Sequence, residues 1–364
     1  MRLVADAGLW STGPQTAPHP LAAVLEVSGA VLSWTIDEAA GAARITFTDP
    51  DRMDWLWRVL GEEGHTAVVE ALAGRTPTDV RSVEVADVDP VPGSLEPLRR
   101  LAVGHWLRRW WPASRRDGIP DLNPALLDAE LALLTVAAQD FFTDDTLDSD
   151  AAGLLQPHGE TLNVLARQED PRVLALVRQC IELADDLGLG DWSERPAASE
   201  PKRDEYALAA GRGTASRRQP VIESGVASIN WSAVPPGIFD AAENTVDWSI
   251  DISGPAVVAV VRVALSGPVP ATGVSVRLQS GTVTGASPLD ASGSAILSLL
   301  DGGAPITETA AWNHDWAHTS VVIGSGGGES AETRERVRSF ARQRLNPPRS
   351  DAFLAEILAA ESDY

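Results

Sequence analysis

Residues 189–220, LGDWSERPAASEPKRDEYALAAGRGTASRRQP, decide how this chain is organised. Before this stretch, apolar residues recur at helical spacing. After it, they alternate at strand spacing in short segments broken by Gly, Pro, Ser and Asp. The stretch itself is poor in large apolar side chains and rich in charge, with Lys202, Arg203, Asp204 and Glu205 together and Arg217 and Arg218 near its end. That is the composition of a polar linker between two folding units. The expected fold class is α+β: a largely helical α+β unit with a small sheet at 1–188, a polar linker at 189–220, an antiparallel β-sandwich at 221–323, and a Gly-rich hinge with an amphipathic helical tail at 324–364.

In the first half, Leu25 to Val27, Val31 to Ile36, Ala43 to Thr48 and Val80 to Val88 read as strands. Asp49-Pro50, Asn123-Pro124 and Asp170-Pro171 each pair a capping side chain with a proline suited to a first helical position. The third pair opens the clearest helix. Val173, Val177, Cys180, Ala184 and Leu187 share its buried face, and Gly188 sits where a terminating glycine belongs. Beyond the linker, Trp248-Ile250-Ile252, Val261-Val263-Leu265 and Val274-Val276-Leu278 alternate cleanly, with further strands expected at Ala295 to Leu300, Ile306 to Ala310 and His318 to Ile323.

The chain of 364 residues carries 29 basic against 51 acidic side chains, a net charge of −22. A field of that sign disfavours DNA, RNA and anionic membrane surfaces. Lys202 is the only lysine, an arginine bias that reads as the mark of a GC-rich, bacterial genome. One cysteine excludes an internal disulfide and a cysteine-rich metal site. The opening residues do not read as a signal peptide, and no window has the apolar length of a membrane span, so the expected location is cytoplasmic.

Three local features bear on function. Trp106, Arg108, Arg109, Trp110 and Trp111 interleave aromatic and basic side chains, which suits core packing with neutralised carboxylates, a protein-partner surface, or base stacking. The acidic surroundings rank nucleic acid last. Asp140, Asp144, Asp145, Asp148 and Asp150 lack the offsets of a calcium loop and read as a solvated acidic loop. His105 shares a helical face with Leu98 and Leu101, the setting of a core or boundary histidine.

The second half offers Trp312-Asn313-His314-Asp315-Trp316-Ala317-His318. His314, Asp315 and His318 could supply three zinc ligands, although the glutamate that follows the first histidine in zincins is absent. Structural and partner-binding roles for this loop, with Trp312 and Trp316, stand beside the metal reading. The run Gly324-Ser325-Gly326-Gly327-Gly328 resembles a phosphate cradle, but no lysine follows it and Glu329 would repel phosphate, so it reads as a hinge. In the tail, Phe353, Leu354, Ile357 and Leu358 form an apolar face open to a partner unless the chain covers it.

The stretch Val263 to Gly267, Val274 to Leu278 and Leu289 to Leu297, with its Asp290-x-x-Gly293 turn, resembles the carboxypeptidase-regulatory and transthyretin-like sandwiches. The resemblance spans residues 246–323 and departs from the pattern at Ala311-Trp312, where a closing tyrosine strand would stand. It implies a non-catalytic recognition module and carries over no functional residues.

With no GxSxG, HExxH, Walker or full dinucleotide fingerprint present, the expectation is a non-enzymatic adaptor or regulatory protein. It would bind a protein partner through the sandwich and C-terminal helices, as an oligomer or heteromeric complex, without a cofactor. The alternatives are a metal-dependent hydrolase using the His/Asp loop with zinc, and a structural subunit whose 12 tryptophans partly line interfaces.

Overall fold

A computed structural model of the chain describes residues 1–38, 43–78, 81–142, 148–189, 221–267, 269–326, 328–347 and 349–362. The linker expected at 189–220 lies, from residue 190 onward, outside the described residues. The chain is α+β, as expected. It divides into two compact units, the first Met1–Arg109, Leu122–Ala197 and Arg342–Tyr364, the second Trp110–Asp121 and Ala198–Ala341. Residues 342–364, read from sequence as part of a separate tail, thus fold into the first unit.

The sheet of the first unit contains β1 (Arg2–Asp6), β2 (Leu9–Thr12), β3 (Ala22–Val27), β4 (Ala30–Thr35), β5 (Arg44–Phe47) and β6 (Ser82–Glu84). All pairings are antiparallel, in the order β3-β4-β5-β2-β1-β6. The β1–β2 hairpin was not anticipated, because its strands are short and only Leu3 and Trp10 to Thr12 bury fully. The Val80 to Val88 strand shrinks to β6.

The helices are α1 (Trp57–Leu72), α2 (Glu96–Trp110), α3 (Pro124–Phe142), α4 (Asp148–Leu155), α5 (Gly159–Ala166) and α6 (Pro171–Asp186). Asn123 and Asp170 open helices as read, accepting backbone N–H bonds at 3.0 and 2.8 Å. Asp49 accepts one at 3.2 Å but caps only the three-residue 3-10 turn Pro50–Arg52, ahead of an α1 that continues across Gly61 and Gly64. Gly188 takes the left-handed conformation that ends α6. Cys180 is fully buried, and burial pushes its thiol up to about 12. The expected acidic loop is overtaken at its end by α4, which begins at Asp148; residues 143–147 lie outside the described residues.

The second unit has two antiparallel sheets. One is ordered β12-β9-β8-β7, from β7 (Val221–Ala227), β8 (Val246–Ser253), β9 (Ala256–Val263) and β12 (Ser294–Ser298). The other is ordered β14-β13-β11-β10-β15, from β10 (Ser275–Ser280), β11 (Val283–Pro288), β13 (Leu300–Asp301), β14 (Ala304–Pro305) and β15 (Ser320–Ile323). Each buries one face, as the alternation demands: Val246, Trp248 and Ile250 on β8, Val276 and Leu278 on β10. The sheets meet closely at Gly285, where a Cβ would lie 2.9 Å from Leu299 and 3.2 Å from Leu297. The expected strand at Ile306 to Ala310 is instead α7 (Glu308–Asn313). Thr307 caps it, accepting the Ala310 N–H at 3.2 Å, and this local bond outcompetes strand pairing.

The tail is divided between the units. Helix α8 (Ala331–Leu345) supplies Arg334 and Arg338 to the second, where both pair with Glu243 at 2.7 and 3.0 Å. Glu329 is not a free charge at a hinge: its carboxylate accepts the Trp231 and Ser232 N–H groups at 2.8 and 2.7 Å. Helix α9 (Leu354–Glu361) packs against α3 in the first unit. Phe353, just before it, is fully buried beside Gly104, where a Cβ would sit 2.6 Å from its ring. Arg100 lies 5.0 Å over that ring, and the fully buried Arg344 and Glu356 pair at 2.7 Å.

Two outcomes are expected. Phe353→Ala lowers the stability of the first unit by about 3–5 kcal/mol in a denaturant melt, the usual cost of emptying such a site. In the second unit, burial alone would raise the Glu243 carboxyl, but hydrogen bonds from Arg334, Ser228 and Arg338 outweigh it and hold the group down to about 2. A depressed carboxyl stabilises above its unfolded value, about 4.3, and loses that contribution as pH falls through the folded one. Melting temperature should therefore drop between about pH 4 and 2 in a way that Glu243→Gln removes.

Candidate functional site

The first unit holds a groove of about 680 Å³. One wall is five consecutive residues, Val24 to Ser28, from β3 and the turn after it. Side chains alternate along a strand, so five neighbours can line one groove only along the strand's edge. β3 ends the sheet order, and among the described residues no strand pairs with its outer side.

The register fixes which backbone groups face outward. The pairs run from Ala22↔Thr35 to Val27↔Ala30, closed by the two-residue turn Ser28-Gly29. Just before β3, the Ile36 N–H donates to the Leu21 carbonyl at 3.0 Å, so Leu21, Ala23, Leu25 and Val27 bond inward to β4. Residues 20, 22, 24, 26 and 28 then point away from β4. Two tryptophans satisfy the ends of this row: the Trp106 indole N–H donates to the Pro20 carbonyl at 2.6 Å, and Trp55 to the Ser28 carbonyl at 2.7 Å. Between them, the N–H and C=O groups of Val24 and Glu26 face the groove.

The opposite wall comes from α2 (Leu101, His105, Arg108), α3 (Thr135, Ala138, Phe142) and α4 (Asp150, Gly153, Leu154). The lining mixes apolar side chains with polar and charged ones. The rim mixes Arg52 and Arg108 with Glu26 and Asp150. Arg108 is held by Asp128, whose Oδ1 lies 2.8 Å from Nε in an ion pair that falls short of hydrogen-bond geometry; Oδ2 lies 2.9 Å from His158 Nε2. Burial lowers the His105 pKa, Arg108 adds to this, and Asp128 and Asp150 oppose it. His105 therefore meets the groove as a neutral imidazole at pH 7.

The residues singled out from sequence separate. Trp106 is buried and braces β3, whereas Arg108 lines the groove. Arg109 ends the first unit's share of α2; Trp110 and Trp111 belong to the second unit, where Trp111 donates to the Pro120 carbonyl at 2.7 Å. The unit boundary falls within the run, after Arg109.

In the His/Asp loop, His314 Nε2 lies 3.0 Å from Ser280 Oγ and its ring stands edge-on to the buried Trp316. Asp315 accepts the Ala317 N–H at 3.0 Å, and His318 is exposed. The zinc set expected from His314, Asp315 and His318 is not assembled: among the described residues no three His, Cys, Asp or Glu side chains cluster as a metal site requires. The chain leaves α7 and turns toward β15 here, so the two histidines do not share a helical face. Trp312 remains exposed. Phe353 and half-buried Ile357, expected to meet a partner, lie in the first unit, where Phe353 is wholly covered by its own chain.

Sequence reasoning missed the groove itself, with Arg52, Thr135 and Gly153. The signal within reach was the Ser28-Gly29 turn, which sets the hairpin register but not which edge stays open. In comparisons with known proteins, no family model, curated protein or solved structure matches this chain. Among the described residues no helix is long and apolar enough to cross a membrane.

If Trp106 is a brace rather than a binding surface, Trp106→Phe strands the Pro20 carbonyl without a donor. Denaturant melts should then show a loss of about 1–3 kcal/mol.

Proposed function

We propose that this is a non-enzymatic adaptor or regulatory protein that takes up an extended segment of a partner protein as a further strand on β3. One observation carries the reading: among the described residues no strand pairs with the outer side of β3, where the backbone groups of Val24 and Glu26 face a groove. A polypeptide in extended conformation presents the matching acceptors and donors, and its alternate side chains enter the groove. Each backbone bond contributes about 0.5–1.5 kcal/mol net, and burial of apolar side chains adds to it.

The reading moves the partner surface away from the sandwich and tail, since Phe353 and Trp316 are buried. Nothing at His314, Asp315 and His318 favours the metal-dependent hydrolase. The single cysteine and the acidic balance fit a cytoplasmic setting, which we propose with it.

The test is amide-resolved hydrogen exchange on the chain with and without its native associate, together with Glu26→Pro. The Glu26 N–H takes no part in the β4 ladder, so proline there removes an outward donor and leaves the hairpin intact. Val24 and Glu26 amides should become protected on association, and Glu26→Pro should weaken it about tenfold, the worth of one to two such bonds. An associate held equally well by Glu26→Pro, with the Val24 amide still exchanging freely, would exclude strand addition.

A further inference from the structure

Arg99, in the first turn of α2, carries a buried charge that the fold does not fully answer; the residue is 8% exposed. Among the described residues its guanidinium makes no hydrogen bond, and its one ion pair is with Asp351 at 3.5 Å. Asp351 is itself engaged by Arg344, which donates to its two oxygens at 3.5 and 3.4 Å. Burial holds the Arg99 pKa below the ordinary guanidinium value; Asp351 opposes this, while Arg344 and Arg349 add to it. A buried guanidinium has five N–H donors to satisfy and a charge to neutralise. Arg344 meets both demands through Glu356; Arg99 has no such partner.

Arg99 borders a small cavity of about 10 Å³, lined also by Gln15 and Thr16 from the loop after β2 and by Ser33 and Thr35 of β4. Hydroxyl protons there lack acceptors among the described residues. The buried Thr35 Oγ1 accepts the Ala17 N–H at 3.2 Å, and its own proton goes to no acceptor. The Thr16 and Ser33 hydroxyls lie 2.7 Å apart, a bond that uses only one of their two protons. Glu38, the one acidic side chain of the lining, is exposed. We propose that this cavity is a halide site, in which one chloride ion accepts from the Arg99 guanidinium, the Thr35 hydroxyl and the hydroxyl of Thr16 or Ser33. Size and charge set the class. The volume is that of one water-sized particle, too small for a phosphate or a carboxylate. A water would accept from Arg99 but leave its charge unanswered, whereas an anion satisfies the donors and supplies the counter-charge. The ion ties α2 to β4. The site shares no lining residue with the groove beside β3 and does not rest on strand addition.

The experiment titrates the full chain with sodium chloride against sodium gluconate at constant ionic strength, reading the line width of the chloride NMR signal and the melting temperature. Proteins compared are the parent, Arg99→Met and Thr35→Val. In the parent the excess line width should saturate, and chloride should raise the melting temperature over gluconate by about 2–4 °C. Thr35→Val keeps the shape and removes one donor, so it should weaken chloride binding about tenfold, the worth of a hydrogen bond to a charged group. Arg99→Met should remove both responses.

An equal chloride response in parent and Arg99→Met puts the ion elsewhere on the chain and overturns the site. Line broadening that never saturates, with the same melting temperature in both salts, means an adventitious ion only and overturns it too. Should Arg99→Met fail to fold, Thr35→Val decides in its place: chloride affinity equal to the parent's overturns the site, and a tenfold loss upholds it.

Discussion

An antiparallel strand at the margin of a sheet leaves every second residue with a backbone donor and acceptor facing outward, and each must find water or a partner. The first unit is organised around that constraint at β3. Trp106 reaches the edge from α2 and Trp55 from the short helical turn before α1, and each spends its one indole N–H on an outward carbonyl. Their positions explain why two bulky aromatics bury beside a polar row: the ring fills the core while the N–H satisfies the strand. Among the described residues no strand pairs with β3 between the two carbonyls, and three helices line the groove beside Val24 to Ser28.

The C-terminal residues act on the same unit from the other side of α2. Phe353 enters where Gly104 has no side chain, and Arg344 and Glu356 neutralise one another in full burial. Such a pair adds little stability over an apolar match, yet losing one partner would strand a charge, so it fixes one arrangement of the tail. The arginine-rich face of α8 has a comparable role in the second unit, where Arg334 and Arg338 converge on Glu243. In an acidic chain these arginines serve internal carboxylates and are not a surface awaiting an acidic partner.

Local signals in the sequence were accurate where the chemistry is local. The Asx-Pro starts of α3 and α6, the glycine ending α6, the buried thiol of Cys180 and the alternating strands of the second unit all depend on residues a few positions apart. Reading failed where partners are distant. Ile306 to Ala310 alternates like a strand, but the Thr307 cap made it helical. His314, Asp315 and His318 are close in sequence, yet a chain leaving a helix points them apart. Trp106 to Trp111 looks continuous, although the unit boundary falls among them.

The sequence by itself determined the α+β class, the capping of α3 and α6 and the alternating strands of the second unit, because spacing and caps act over short range. Only the tertiary structure decided that β3 stands at a margin, that its end carbonyls are taken by Trp106 and Trp55, and that Phe353 is covered by its own chain. The reason is physical. An edge is defined by the strand that does not pair with it, and a groove by the helices brought to face it, and both depend on contacts between residues tens to hundreds of positions apart.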